Sequence, residues 1–240
     1  MSANQEEAKI GRGELVKNQP VSHHPTSDTL VRMRLTYKTS GGIRYTGNLD
    51  LHRIWERAFR RANLPISYSN GFHPQPRLHL ACALPLGMIS HHELADLWMD
   101  DIIPPEILLQ DLNNSLPNGI RVISVEQVDL KEKALQTRIK TAIYQVSFDF
   151  LMTISALSQA VEDLLSSSEI IRERRGKTYN LKPLIEKIEV QSSSSDAAKP
   201  VLVLELSARE GATGRPEEVL SAMNIDPLSA TTERISLTYD

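Results

Sequence analysis

Arg53, Arg57, Arg60 and Arg61 recur at spacings of three and four residues within RIWERAFRR. On a helix this spacing gathers them on one face and leaves Trp55, Ala58, Phe59 and Ala62 for a buried face. A guanidinium is a planar fork that offers phosphate or carboxylate two hydrogen bonds at once. The row, with Arg44 and Tyr45 just ahead of it, is a candidate phosphate-backbone or anion site. The competing reading is a solvated amphipathic face with Glu56 as its pairing acid.

The decapeptide SYSNGFHPQP, residues 67–76, follows at once. Asn70-Gly71 suits a tight turn that needs positive φ. Pro74 and Pro76 stiffen what comes next. Together they present Tyr68 and Phe72 for base stacking, and His73 and Arg77 for phosphate or base edges. Alternatively, the segment is a rigid hairpin whose aromatics cover the core.

Asn48, Asp50, His52, His73, His79, His91 and His92 form a third set. Asp50 and Asn48 mark a polar site beside the arginines. General acid–base use would pair His73 with Asp50. No HxxxH or HxH spacing lies on one predicted helix face, so no metal site is assigned. RERRGKTYNLKPLIEK, residues 172–187, has six basic residues against two acidic ones. It extends a positive surface or forms an exposed hairpin. GATGRPEEVL resembles a phosphate loop only faintly, since no GK[ST] follows.

These residues need elements to hold them. The chain has 240 residues, 40% hydrophobic and 24% charged, with a net charge of −3. That is an ordinary globular composition, and the molecule as a whole is no polycation. Charge is nevertheless split. Residues 30–80 hold nine Lys/Arg against two acids, whereas residues 81–130 hold eight acids against Arg121. The segments form opposed surfaces, or they pair with each other. Cys82 is the single cysteine, so no internal disulfide is available, and its apolar surroundings suggest a core residue. No apolar run approaches the ~20 residues of a membrane span, and no signal core opens the chain. A cytoplasmic protein is expected.

Residues 1–28 are polar and aperiodic, include His23-His24, and read as a flexible tail. Residues 29–39 alternate: Leu30, Arg32, Arg34, Thr36 and Lys38 against Val31, Met33, Leu35 and Tyr37. This predicts a strand with one buried face. A helix follows to about Asn63, then a strand over 77–86 and another over 93–99. A Pro-opened helix runs to about Ser115, and a strand spans 119–130. A second such series runs through strand 141–150, helix 154–165, strand 170–175, an insertion over 179–190, strand 201–208, helix 216–223 and strand 234–239. Ser192 to Asp196 reads as a flexible hairpin tip. The expected fold is α+β: two tandem ferredoxin-like βαββαβ units with antiparallel sheets, over residues 29–135 and 136–240.

The crowded stretch also resembles a bacterial family, the radical-SAM-linked domain found alone or C-terminal to cobalamin-binding radical SAM proteins. The resemblance rests on Arg44, Tyr45, Leu49, Asp50, Leu51, Arg53, Arg57, Ala58, Arg60, Arg61, Ala62, Leu64, Pro65, Tyr68, Ser69, Gly71, Phe72, Pro74, Pro76 and Leu84-Pro85-Leu86-Gly87. Weaker similarity runs through RRGKTYNLKPLI and GRPEEVL. Two family features differ. The family's Ser-His before LDL is Gly47-Asn48, and its NPHP is His73-Pro74-Gln75-Pro76. Two family histidines are therefore replaced, which favours binding over chemistry.

The resemblance implies links to radical SAM enzymes and to RNA. The leading expectation is a non-catalytic RNA-binding or substrate-presenting module without a cofactor. The first alternative is an interaction subunit of a radical SAM enzyme, docking through an acidic surface at Asp96, Asp100 and Asp101. This chain itself lacks the three-Cys motif for an iron–sulfur cluster. The second alternative is an RNA-processing or RNA-modifying enzyme using Asp50 and His73. The sequence leaves enzyme status, ligand and oligomeric state open.

Overall fold

The structure, a computed structural model, describes residues 29–174, 176–193 and 199–240. The expected N-terminal tail, His23-His24 and the tip residues 194–196 lie outside the described residues. The first half contains β1 (Val31–Thr39), α1 (Asn48–Arg61), β2 (Leu78–Leu80), β3 (Ile89–Met99), α2 (Pro105–Ser115) and β4 (Ile120–Val128). One turn of helix, α3 (Leu135–Arg138), leads to β5 (Ile139–Phe148) and α4 (Ile154–Ser166). A small hairpin, β6 (Ile171–Arg174) and β7 (Lys177–Asn180), precedes β8 (Ile185–Ser192), β9 (Pro200–Arg209) and β10 (Ala212–Thr213). The last elements are α5 (Pro216–Ala222) and β11 (Ala230–Tyr239).

Local chemistry explains the boundaries. In α1, Trp55, Ala58 and Phe59 are buried on one stripe. The helix stops where Asn63 takes the left-handed φ of 51° and Pro65 follows. Pro105 occupies the first turn of α2, where its missing N–H costs nothing. Thr153 caps α4 by accepting from the Ala156 amide at 3.1 Å. Gly119 enters β4 at φ +98°, with its carbonyl accepting from Ser40 N at 2.8 Å. A Cβ there would stand 2.7 Å from the Ser40 carbonyl oxygen, so only glycine fits.

Nine strands make one mixed sheet in the order β10-β9-β5-β11-β3-β1-β4, with β2 also on β3 and β8 also on β9. The two halves therefore share a sheet, where the sequence suggested two separate ones. The seam is the parallel pairing of β11 with β3, through Glu233↔Ile89 and Arg234↔Ser90. The other pairings are antiparallel. One apolar core packs Trp55, Phe59, Leu108 and Leu112 against Met33, Leu35, Tyr37 and Leu97. A second gathers Leu157, Val161, Val219 and Leu220 on Val146, Leu202, Leu204 and Leu206, and extends to Leu94 and Met88.

Three expectations about strand extent change. The predicted strand over 77–86 pairs only at Leu78–Leu80; Ala81 to Gly87 then leaves the edge as a loop, as Pro85 and the φ +88° of Gly87 require. β3 begins at Ile89 and carries His91 and His92, which a purely apolar strand would exclude. Most of the predicted insertion is itself strand, β7 and β8.

The largest change concerns β1. It is buried on both faces: Arg32 is 1% and Arg34 3% exposed. Alternation cannot separate a solvated polar face from a buried one whose charges are paired.

Candidate functional site

The α1 arginines do share an exposed face. Arg53 donates to Asp50 at 2.9 Å, and Arg60 to Glu56. Both are exposed intrahelical pairs, worth only about 0.3–0.5 kcal/mol, so either arginine is readily released to another anion. Arg61 donates to the Ser115 carbonyl at the end of α2. Arg57 has no ion-pair partner among the described residues. The face is thus a row of four cations on a helix ~20 Å long, with two weakly held, one anchored and one free.

The decapeptide leaves the C-terminal end of α1 through a braced path. Leu64 N donates to the Phe59 carbonyl, Ser67 N to the Trp98 carbonyl at 2.9 Å, and Arg77 N to the Ser67 carbonyl at 2.8 Å. Within it, Ser69 N donates to the Gln75 carbonyl at 2.8 Å and Gln75 N to Ser69 Oγ at 3.0 Å. Gly71 takes φ +134°. Tyr68 is partly exposed, His73 is exposed, and the Phe72 ring is fully exposed. Phe72 therefore covers no core.

Arg77 is placed otherwise than expected. It turns back onto the sheet, with its guanidinium 5.0 Å from the Trp98 ring centroid; Arg32 lies 4.9 Å from the same ring. His79 meets Trp98 edge-on at 4.7 Å. Burial and the neighbouring Arg77 lower the His79 pKa, and burial and nearby His79 lower that of His52.

Asp50 is tied to Arg53 in the first turn of α1, whereas His73 sits on the loop beyond the other end. The two make no hydrogen bond to each other. His91 pairs with Glu233 at 3.0 Å. Among the described residues, no three His, Cys, Asp or Glu side chains are grouped to hold a metal ion.

Asp96 is fully buried and belongs to no acidic surface. Register places it opposite Arg34 on β1 and His79 on β2. It accepts from Arg32 Nε at 3.1 Å and Arg34 Nε at 2.9 Å. The β4–β5 connection closes over this group: Arg32 donates to the Glu132 and Lys133 carbonyls, and Arg34 pairs with Glu132 at 3.1 Å. A second buried pair holds the seam. Arg234 binds both oxygens of Glu93, at 2.7 and 2.6 Å, while both residues are almost fully enclosed. Burial opposes the charge on Arg234, but Glu93 together with Tyr144 and Cys82 outweighs it and raises the pKa. The charge split between residues 30–80 and 81–130 is thus partly internal pairing.

Beside the seam lies a cleft of about 20 Å³. Arg44, Thr46, Asn48 and Leu51 line one side, Tyr37 and Glu93 the floor, and Leu80, Cys82, Leu84 and Pro85 the other wall. Gly87 N donates to the Arg44 carbonyl at 2.7 Å and pins the two walls together. Arg44 Nε donates to the Gly41 carbonyl at 3.1 Å. Tyr45 is exposed beside it.

Sequence reasoning missed Tyr37, Glu93, Asp96 and Arg234 as site-building residues. The signal for Asp96 was present: two arginines alternate on one predicted strand, and the adjoining segment has the opposite charge. Nothing local marked Glu93 and Arg234, which are 141 residues apart.

No curated protein matches the chain. Among solved structures, one described as a dyp-type peroxidase from Shewanella oneidensis is 9% identical, covering 87% of this chain and 91% of its own, with a TM-score of 0.22. At that score it carries no argument about fold or function. No helix among the described residues is long and apolar enough to cross a membrane. A family model matches residues 32–216, from the buried arginines of β1 to the start of α5, and the chain belongs to that family, described as uncharacterized proteins conserved in bacteria (DUF2344).

Proposed function

We propose that this chain is a non-catalytic RNA-binding module. The observation that carries the reading is the Phe72 ring: fully exposed, on a loop braced by its own hydrogen bonds, at the end of the helix that carries the arginines. An apolar ring held in water stabilises no core, but it offers a base a stacking platform. Arg53, Arg57, Arg60 and Arg61 would neutralise phosphates along α1, and Tyr68 and His73 would flank the stacked base. Arg77, held on Trp98, acts by fixing the base of the loop. The radical SAM link implied by the resemblance enters as the enzyme to which such a module presents RNA.

For the scaffold, the neighbours β4-β1-β3-β2 and β11-β5-β9-β8 support reading each half as a ferredoxin-like unit, fused edge to edge at β3 and β11.

The test is fluorescence anisotropy with labelled single-stranded RNA from low to physiological salt. Each phosphate neutralised contributes about −0.7 to the slope of log K against log salt. Four engaged arginines give a slope of about −3, and Arg57→Glu with Arg60→Glu removes about half of it along with most of the affinity. Unchanged affinity in that variant sinks the proposal.

A further inference from the structure

We propose that the cleft beside the seam binds the phosphate of a phosphate monoester. Three independent features converge on it. The first turn of α1 opens into the cleft through Thr46, Asn48 and Leu51. Its N-cap, Gly47, supplies no side-chain cap, so the Asn48, Leu49 and Asp50 amides have no partner within the helix. Arg44 lines the same wall and spends only Nε, on the Gly41 carbonyl, which leaves its terminal nitrogens to donate.

The third feature is Tyr37. It lines the cleft, is 1% exposed, and its hydroxyl has no hydrogen-bond partner among the described residues. With the ring buried and the hydroxyl at the cleft surface, its O–H is free to donate to an acceptor that enters the cleft.

Arg234 binds both oxygens of Glu93 and offsets the one acid on the floor, although the Glu93 charge still reaches Tyr37. The opposite wall, Leu80, Leu84 and Pro85, is apolar and keeps these donors in a poorly screened space. Size sets the ligand class. A cavity of about 20 Å³ has room for about one water-sized group, so it takes a phosphoryl oxygen and no nucleobase. The ester substituent stays at the mouth, where Tyr45, Leu49 and Leu86 are exposed as chain neighbours of the lining residues. The inference stands on the cleft and does not depend on the RNA reading. The same chemistry is offered by a small phosphorylated metabolite and by the 5′ end of an RNA.

Isothermal titration of the full chain at fixed ionic strength tests it, with inorganic phosphate, ribose 5-phosphate, and a uridine decamer bearing either a 5′-phosphate or a 5′-hydroxyl. Binding of phosphate or ribose 5-phosphate is expected. It weakens by about tenfold or more in Arg44→Gln and several-fold in Tyr37→Phe, with both variants melting like the parent. A tenfold preference for the 5′-phosphorylated decamer identifies an RNA end as the source; ribose 5-phosphate binding without that preference identifies a metabolite. If neither small phosphate binds at tens of millimolar and the decamers are equal, the proposal is wrong. It is equally wrong if binding survives Arg44→Gln undiminished.

Discussion

Asp96→Ala removes the carboxylate that Arg32 and Arg34 share inside the sheet. In the native chain Asp96 is fully buried and takes four hydrogen bonds: 3.1 and 2.5 Å from Arg32, and 2.9 and 3.1 Å from Arg34. The substitution leaves two guanidiniums enclosed. Arg32 keeps the Glu132 and Lys133 carbonyls, and Arg34 keeps Glu132, so neither is wholly abandoned. Removing one partner of a buried pair costs about 3–5 kcal/mol. For a chain of this size that is a fall in Tm of about 6–20 °C. It is also a large fraction of the 5–15 kcal/mol that holds a typical domain.

Urea denaturation with the slope held common measures the loss. Replacing all three residues together, Arg32→Met, Arg34→Met and Asp96→Leu, exchanges charges for apolar volume and is expected to fall within about 1 kcal/mol of the parent or above it. A loss below about 1 kcal/mol in Asp96→Ala would falsify the view that this triad is a balanced, desolvated unit.

Gly119→Ala forces an L side chain to φ +98° and sets its Cβ against the Ser40 carbonyl oxygen, so a loss of at least about 1–3 kcal/mol is expected in thermal melts. His52 and His79 have folded pKa values below the ordinary ~6.5, so their contribution to stability is full above that pH and drains as pH falls through the folded values. Urea midpoints should therefore drop from pH 7.5 to pH 5, and His52→Gln with His79→Gln should flatten that drop; an equal slope in the variant refutes the assignment. Phe72→Ala should leave the melting curve within about 0.5 kcal/mol of the parent while weakening RNA binding by about 1–3 kcal/mol. A destabilised Phe72→Ala would instead assign the ring to the core.

Much of the architecture was legible wherever one face of an element meets water. The Trp55, Ala58 and Phe59 stripe located α1 against its arginine face, and the prolines at 105 and 216 located the starts of α2 and α5. Legibility failed where polar residues are buried in partnership. Arg32 and Arg34 look like the wet side of an edge strand until Asp96 lies across from them. The loop over 81–87 looks like strand because its residues are apolar, yet they line a cleft wall. Of the expected binding residues, Arg53, Arg57, Arg60, Arg61, Phe72 and His73 are outward-facing, whereas Arg77 stacks inward on Trp98.

Sequence alone determined the buried stripe and arginine face of α1 and the Pro-opened starts of α2 and α5, because helical period and backbone preferences act over a few residues. Tertiary structure decided the fusion of the halves into one sheet, the Arg234–Glu93 and Arg32–Arg34–Asp96 pairings, and the cleft that Tyr37 shares with Arg44. Those depend on contacts between residues 62 to 141 positions apart, where burial makes a charge tolerable only beside its partner, and no local pattern records which partner that is.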